Sequence, residues 1–148
     1  MARLTKAQRA WRPGMKKPRR SIRVMFASTV LSLEAFVVFF ATLGLFGLYR
    51  DQVAPWLILG AGIAFSAVCI LTCALLGRPL GYWIGWGIQL LLVLAGFVEP
   101  MMFVVGPLFA AAWWYAVVKG RSMDLENARR DREEAEWEAR QGPPAADG

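Results

Sequence analysis

The chain has 148 residues, about the size of a single domain, and 57% of them are hydrophobic, more apolar surface than a soluble protein of this length can bury. Its formal net charge of +6 comes from 17 Lys and Arg against 11 Asp and Glu, and these sit at the two ends. Between Val24 and Val118 only Glu34, Arg50, Asp51, Arg78 and Glu99 are charged. This distribution excludes a water-soluble globular domain and describes a membrane protein with two polar tails.

Residues 1–22 form a basic cytoplasmic arm. Up to Arg23 there are nine Lys and Arg and no acid, and Pro13, Gly14 and Pro18 oppose a long helix. Juxtamembrane cations are attracted to anionic headgroups by about 1 kcal/mol each near the surface. Lys16, Lys17, Arg19, Arg20 and Arg23 are therefore the candidate lipid-headgroup contacts. No aromatic–basic pattern accompanies them, so the expected partner is the bilayer surface and not nucleic acid.

The membrane domain covers 23–119. Its first span, about 24–49, is too long for a signal-peptide core and lacks a small-residue cleavage site, so it is expected to remain as an anchor. The second span, about 54–77, opens on Pro55 and Trp56, proline being well placed in a first helical turn, and Gly77-Arg78-Pro79 closes it. The third is about 80–98. A single helix over 80–118 would be about 58 Å long, roughly twice a bilayer core of about 30 Å. Glu99-Pro100 is therefore read as a tight turn, with a fourth span at about 101–118. The charged tail, 120–148, has strong helix formers and i,i+4 pairs such as Glu126/Arg130, and is predicted helical to about 140.

Four spans place both tails on one side. That side holds the nine basic residues up to Arg23, Arg78 and six more after Val118, whereas the other holds Arg50, offset by Asp51, and Glu99. Basic residues concentrate in the cytoplasm. The expectation is thus an all-α, four-transmembrane-helix bundle with both termini cytoplasmic. Tyr49 and Trp56 fall at the outer interface, and Tyr82, Trp83, Trp113, Trp114 and Tyr115 toward the inner one. Trp86 and Trp113 could instead pack between helices.

Glu34 lies about 16 Å into the first span, near the midplane, where a carboxyl group is costly and faces a bundle interior. Depth counting brings Ser66, Gln89 and Pro107 to a similar level, giving an expected intramembrane polar layer of Glu34, Ser66, Gln89 and Pro107. Pro107 would also free the Phe103 carbonyl and permit a kink. Either a protonated Glu34 donates a hydrogen bond to Gln89 or a carbonyl and holds the bundle together, or Glu34 is a proton or cation site of a transporter. Gly81 and Gly85 form a GxxxG pair, and Gly62 with Ser66 a second small pair; both suit close helix packing, within the chain or between copies. Cys69 and Cys73 share a helix face and read as packing residues.

Histidine is absent, which removes the commonest metal ligand and general base. There is no phosphate-cradling glycine loop, nucleophile elbow or metal-ligand cluster. No catalytic residues, metal or other cofactor are expected.

The run Arg78-Pro79-Leu80-Gly81-Tyr82-Trp83-Ile84-Gly85-Trp86-Gly87-Ile88-Gln89, with Gly96-Phe97, Pro100 to Gly106, Phe109-Ala110 and Trp113 to Ala116, resembles a family of small actinobacterial membrane proteins of unknown function. Their genes often lie beside that of folylpolyglutamate synthase. Arg20-Ser21 and Leu33-Glu34-Ala35 fit the same pattern, and the resemblance covers roughly 19–121. It implies a four-helix domain in the bacterial plasma membrane and supplies no activity. The expected function is a non-enzymatic structural or accessory component of a membrane complex, with a second copy or another membrane protein as partner. The alternative is a small transporter or channel using Glu34. The two differ in whether Glu34 is sealed in the bundle or lines a water-accessible cavity.

Overall fold

The computed structural model describes residues 19–51 and 54–142. Four α-helices account for most of them: α1 (Ile22–Leu48), α2 (Pro55–Leu75), α3 (Pro79–Leu94) and α4 (Met102–Gln141), with a 3-10 turn, Ala95–Phe97, after α3. Counting that turn with α3, all four are long and apolar enough to cross a membrane. Lys16 and Lys17, the rest of 1–18, and the end of the tail from 143 lie outside the described residues.

The helix starts follow local chemistry. Ser21 caps α1 by accepting from the Val24 N–H at 3.4 Å. Proline opens both α2 and α3, where its missing N–H has no intrahelical partner. The expected turn at Glu99-Pro100 is present. The chain reverses over Val98–Met101, and the Glu99 and Pro100 carbonyls accept from the first N–H groups that follow.

The third span has its expected extent, with its last turn tightening into a 3-10 turn after Leu94. There Gly96 lies against the Phe103 ring; a Cβ at Gly96 would sit 2.6 Å from Phe103 Cδ1. One boundary differs from expectation: the fourth span does not stop at Val118 before a separate tail helix. α4 runs unbroken for 40 residues, about 60 Å at 1.5 Å per residue. No proline falls between Lys119 and Ser122, and Gly120, the weak helix former there, is packed against Arg23. The end comes at Gly142, whose φ of +74° suits glycine, and Pro143 follows.

α1 packs chiefly on α2 and α4, α3 packs on α4, and the α2–α3 contact is lighter, so α1 and α3 lie across the bundle from each other. The interior faces carry mostly small or polar residues at helical spacing: Ala27, Leu31, Glu34, Ala35 and Thr42 on α1; Gly62, Ser66, Cys69 and Thr72 on α2; Gly81, Gly85, Ile88, Gln89 and Leu92 on α3. α4 adds Gly106, Trp113, Ala116 and Gly120. Large apolar residues such as Phe36, Phe40, Leu57 and Trp83 point outward. Lipid tails are as apolar as leucine, so bulk gains nothing by turning inward, whereas small residues let helix backbones approach.

Candidate functional site: a buried polar layer and an interhelical cap

Glu34 is completely buried. The Gln89 Nε2 amide of α3 donates to its Oε2 at 2.7 Å, a bond that spans the bundle between the two helices that barely touch elsewhere. Ser66 on α2 is buried beside this pair. Its hydroxyl donates to the Ala35 carbonyl at 3.1 Å, binding the α1 backbone rather than the carboxyl. Two of the four expected members of the layer, Glu34 and Gln89, are thus joined directly, and Ser66 binds the α1 backbone one residue after Glu34.

Pro107 is not among them. It is exposed, and the residue before it, Gly106, faces inward against Val93, where a Cβ would lie 2.9 Å from the Val93 Cα. Successive helical residues are turned by about 100°, so Pro107 points to lipid. α4 contributes Trp113 instead. Its ring is fully buried with Ala27, Leu31, Ala35, Cys69, Leu76 and Ile88, and stands 6.5 Å from the Tyr82 ring. Trp113 is therefore a core residue and not an interfacial one, whereas Trp86 is 44% exposed. Glu34 Oε1, Gln89 Oε1 and Trp113 Nε1 are all buried without a hydrogen-bond partner.

The packing glycines act within the chain. Gly85 receives the Trp113 ring, Gly62 faces Thr42 of α1, and Gly81 sits on the Leu75–Leu76 backbone of the preceding turn. Cys69 is buried and Cys73 half-buried, both as free thiols. The Cys73 thiol donates to the Cys69 carbonyl at 3.3 Å. Among the described residues, no group of three or more Cys, Asp or Glu is placed to hold a metal ion.

The sequence reading missed Asp124. It lies on the extension of α4, yet it caps α1. One oxygen accepts from the Ile22 N–H at 2.7 Å; the other accepts from the Ser21 hydroxyl at 2.5 Å and the Arg23 N–H at 3.2 Å. The helix axes approach closely here because Gly120 meets Arg23, with a Cβ at Gly120 falling 2.5 Å from the Arg23 Cα. Burial pushes the Asp124 carboxyl up. The bonds from Ser21, Ile22 and Arg23 and the Arg23 charge outweigh it and hold the group below its ordinary range. Asp124→Ala is expected to cost about 2 kcal/mol, the scale of a lost charged hydrogen-bond set at a helix start. Because the folded value is depressed, this contribution is present above the unfolded value of about 3.9 and disappears as pH falls through the folded one. SDS titration of both proteins should show a gap that closes below about pH 4; a gap independent of pH would refute the ionised cap.

Arg19, at 3.7 Å from Asp131, continues the α1–α4 contact outward. Of the other expected headgroup cations, Arg20 is exposed and Arg23 stacks on Tyr82.

A family model described as "Protein of unknown function (DUF4233)" matches residues 23–129. No curated protein and no solved structure matches the chain.

Proposed function

The chain belongs to this DUF4233 family of proteins of unknown function, and on that premise we propose that it is a non-enzymatic structural or accessory component of a membrane complex, with Glu34 a brace rather than a transport site. The observation that carries this reading is the sealing of Glu34. It has no solvent exposure, it is bonded to Gln89, and neither it nor Gln89 nor Ser66 lines the recess at the start of α1 or the apolar cleft beside Thr42 and Leu92. A transported ion needs a path to its site, and these contacts give none. In the same reading Glu34 is the neutral acid. A carboxyl facing a primary amide uses one bond in each direction, and the unpartnered atoms beside the Gln89–Glu34 bond are the Oε1 of each residue. An ionised carboxylate would be left in the core opposite a neutral partner, at high desolvation cost.

We also propose a location in an actinobacterial plasma membrane, resting on the resemblance alone, and both termini cytoplasmic, supported by the Lys and Arg that stand in the sequence before α1, at Arg78 and after Val118. The partner is a second copy of the chain or another membrane protein.

Co-purification in mild detergent with quantitative mass spectrometry tests the proposal. A reproducible companion or oligomer is expected, and a partnerless monomer would count against it. In proteoliposomes, Glu34→Gln should leave ion and proton flux at the empty-vesicle level, as in the wild type. Wild-type flux lost in Glu34→Gln would establish the transporter instead.

A further inference from the structure

At the end of the bundle where α1 starts, a recess of about 850 Å³ opens between α1, the α2–α3 turn and α4. Three arginines from three different segments line it: Arg23 on α1, Arg78 in the turn and Arg121 on α4. Its aromatic wall is Tyr82, Trp83 and Trp86 of α3. Asp124 also lines it, but its oxygens are engaged by Ser21, Ile22 and Arg23. Three guanidinium groups against one carboxylate leave the recess with two positive charges in excess.

The cations are not used up elsewhere. The Arg23 guanidinium lies 3.7 Å above the Tyr82 ring centre, and its Nε is buried without a hydrogen-bond partner. Among the described residues, Arg78 and Arg121 form no ion pair. α3 begins beside the recess with no side-chain cap, which adds the positive end of a helix. Arg121 comes nineteen residues after the start of α4, about 28 Å along it, while Arg23 and Arg78 stand at the starts of α1 and α3. All three are therefore at one membrane–water interface, where phosphates of lipids lie and where Trp side chains anchor.

We propose that this recess binds the phosphate of an anionic membrane lipid, with Arg23, Arg78 and Arg121 on the phosphate and Trp83 and Trp86 against the adjoining glycerol and acyl region. Guanidinium groups suit phosphate oxygens through paired N–H donors. A freely soluble phosphate offers the same oxygens but nothing for the exposed indoles, 76% exposed at Trp83, to cover. This site is distinct from diffuse attraction to a basic arm, because Arg78 and Arg121 come from the second turn and the fourth helix.

Native mass spectrometry of the full chain, supplied with phosphatidylglycerol or phosphatidylcholine, tests it. One tightly retained phosphatidylglycerol is expected, with retention falling about fivefold in each of Arg78→Gln and Arg121→Gln, the scale of one interfacial cation. Arg50→Gln, at the opposite end, should retain it fully. Both recess variants remove exposed side chains, and circular dichroism confirms their folding. Equal retention of the two lipids, or retention indifferent to both substitutions, overturns the site. Displacement of the lipid by millimolar inorganic phosphate overturns its assignment to a lipid.

Discussion

Gly85→Leu is expected to prevent formation of the native bundle. A Cβ at Gly85 would clash with the Trp113 ring at Cζ2 and Cη2 and lie 2.9 Å from Cε2. The ring cannot retreat, because it is fully enclosed by residues of α1, α2 and α3. Overpacking a well-filled interior costs about 1–3 kcal/mol when neighbours can shift; here the neighbour is the largest of the fully buried side chains, so the cost should exceed that range. Trp113→Ala should be severe in the opposite sense, at about 3–5 kcal/mol for the cavity left. The two should compensate: Gly85→Leu combined with Trp113→Ala recovers part of the loss because the leucine enters the vacated volume. SDS titration from dodecyl maltoside micelles measures all three. A Gly85→Leu midpoint equal to the wild type would refute the close contact between α3 and Trp113.

The four helices were legible because crossing a bilayer demands long apolar runs, and Glu99-Pro100 divides a stretch too long for one crossing. Glu34 and Gln89 could be matched by counting depth, since a costly carboxyl must find a polar neighbour at its own level, and the same count brought Ser66 to that level, where it binds the Ala35 carbonyl, one residue from Glu34. Depth does not give azimuth, which is why Pro107 was misplaced. Gly106 takes the inward position and turns Pro107 to lipid. Trp113 was ambiguous because an indole suits both an interface and a core, and its burial is decided by Gly85 on another helix. Asp124 carried no signal at all. One acid among several in a charged tail looks solvated, and its partners Ser21, Ile22 and Arg23 lie a hundred or so residues away. The arginine recess was hidden similarly, its cations being scattered over three segments.

Gln89→Leu is expected to destabilise the bundle by roughly 1–3 kcal/mol, because the cost of a buried polar group without its partner exceeds the net gain of the bond itself. Glu34 would then face a hydrocarbon side chain, with no second donor in hydrogen-bond contact to replace the amide. Glu34→Gln should be nearly silent, since a carboxamide preserves both an acceptor for the Gln89 amide and a donor for its carbonyl. Replacing both residues by leucine should recover most of the stability lost in Gln89→Leu, for leucine is close in volume to both and leaves nothing unsatisfied. With Glu34→Leu completing the cycle, the coupling should be between about 0.6 kcal/mol, the average for interhelical hydrogen bonds in membranes, and their maximum of about 1.7 kcal/mol. The pattern separates a brace from a working carboxyl. A brace depends on the partner and tolerates the amide, whereas a proton site depends on the acid itself. Stability insensitive to Gln89→Leu, alongside a strong loss in Glu34→Gln, would reverse the assignment and make the carboxyl, rather than its bond to α3, the reason Glu34 stands in the membrane.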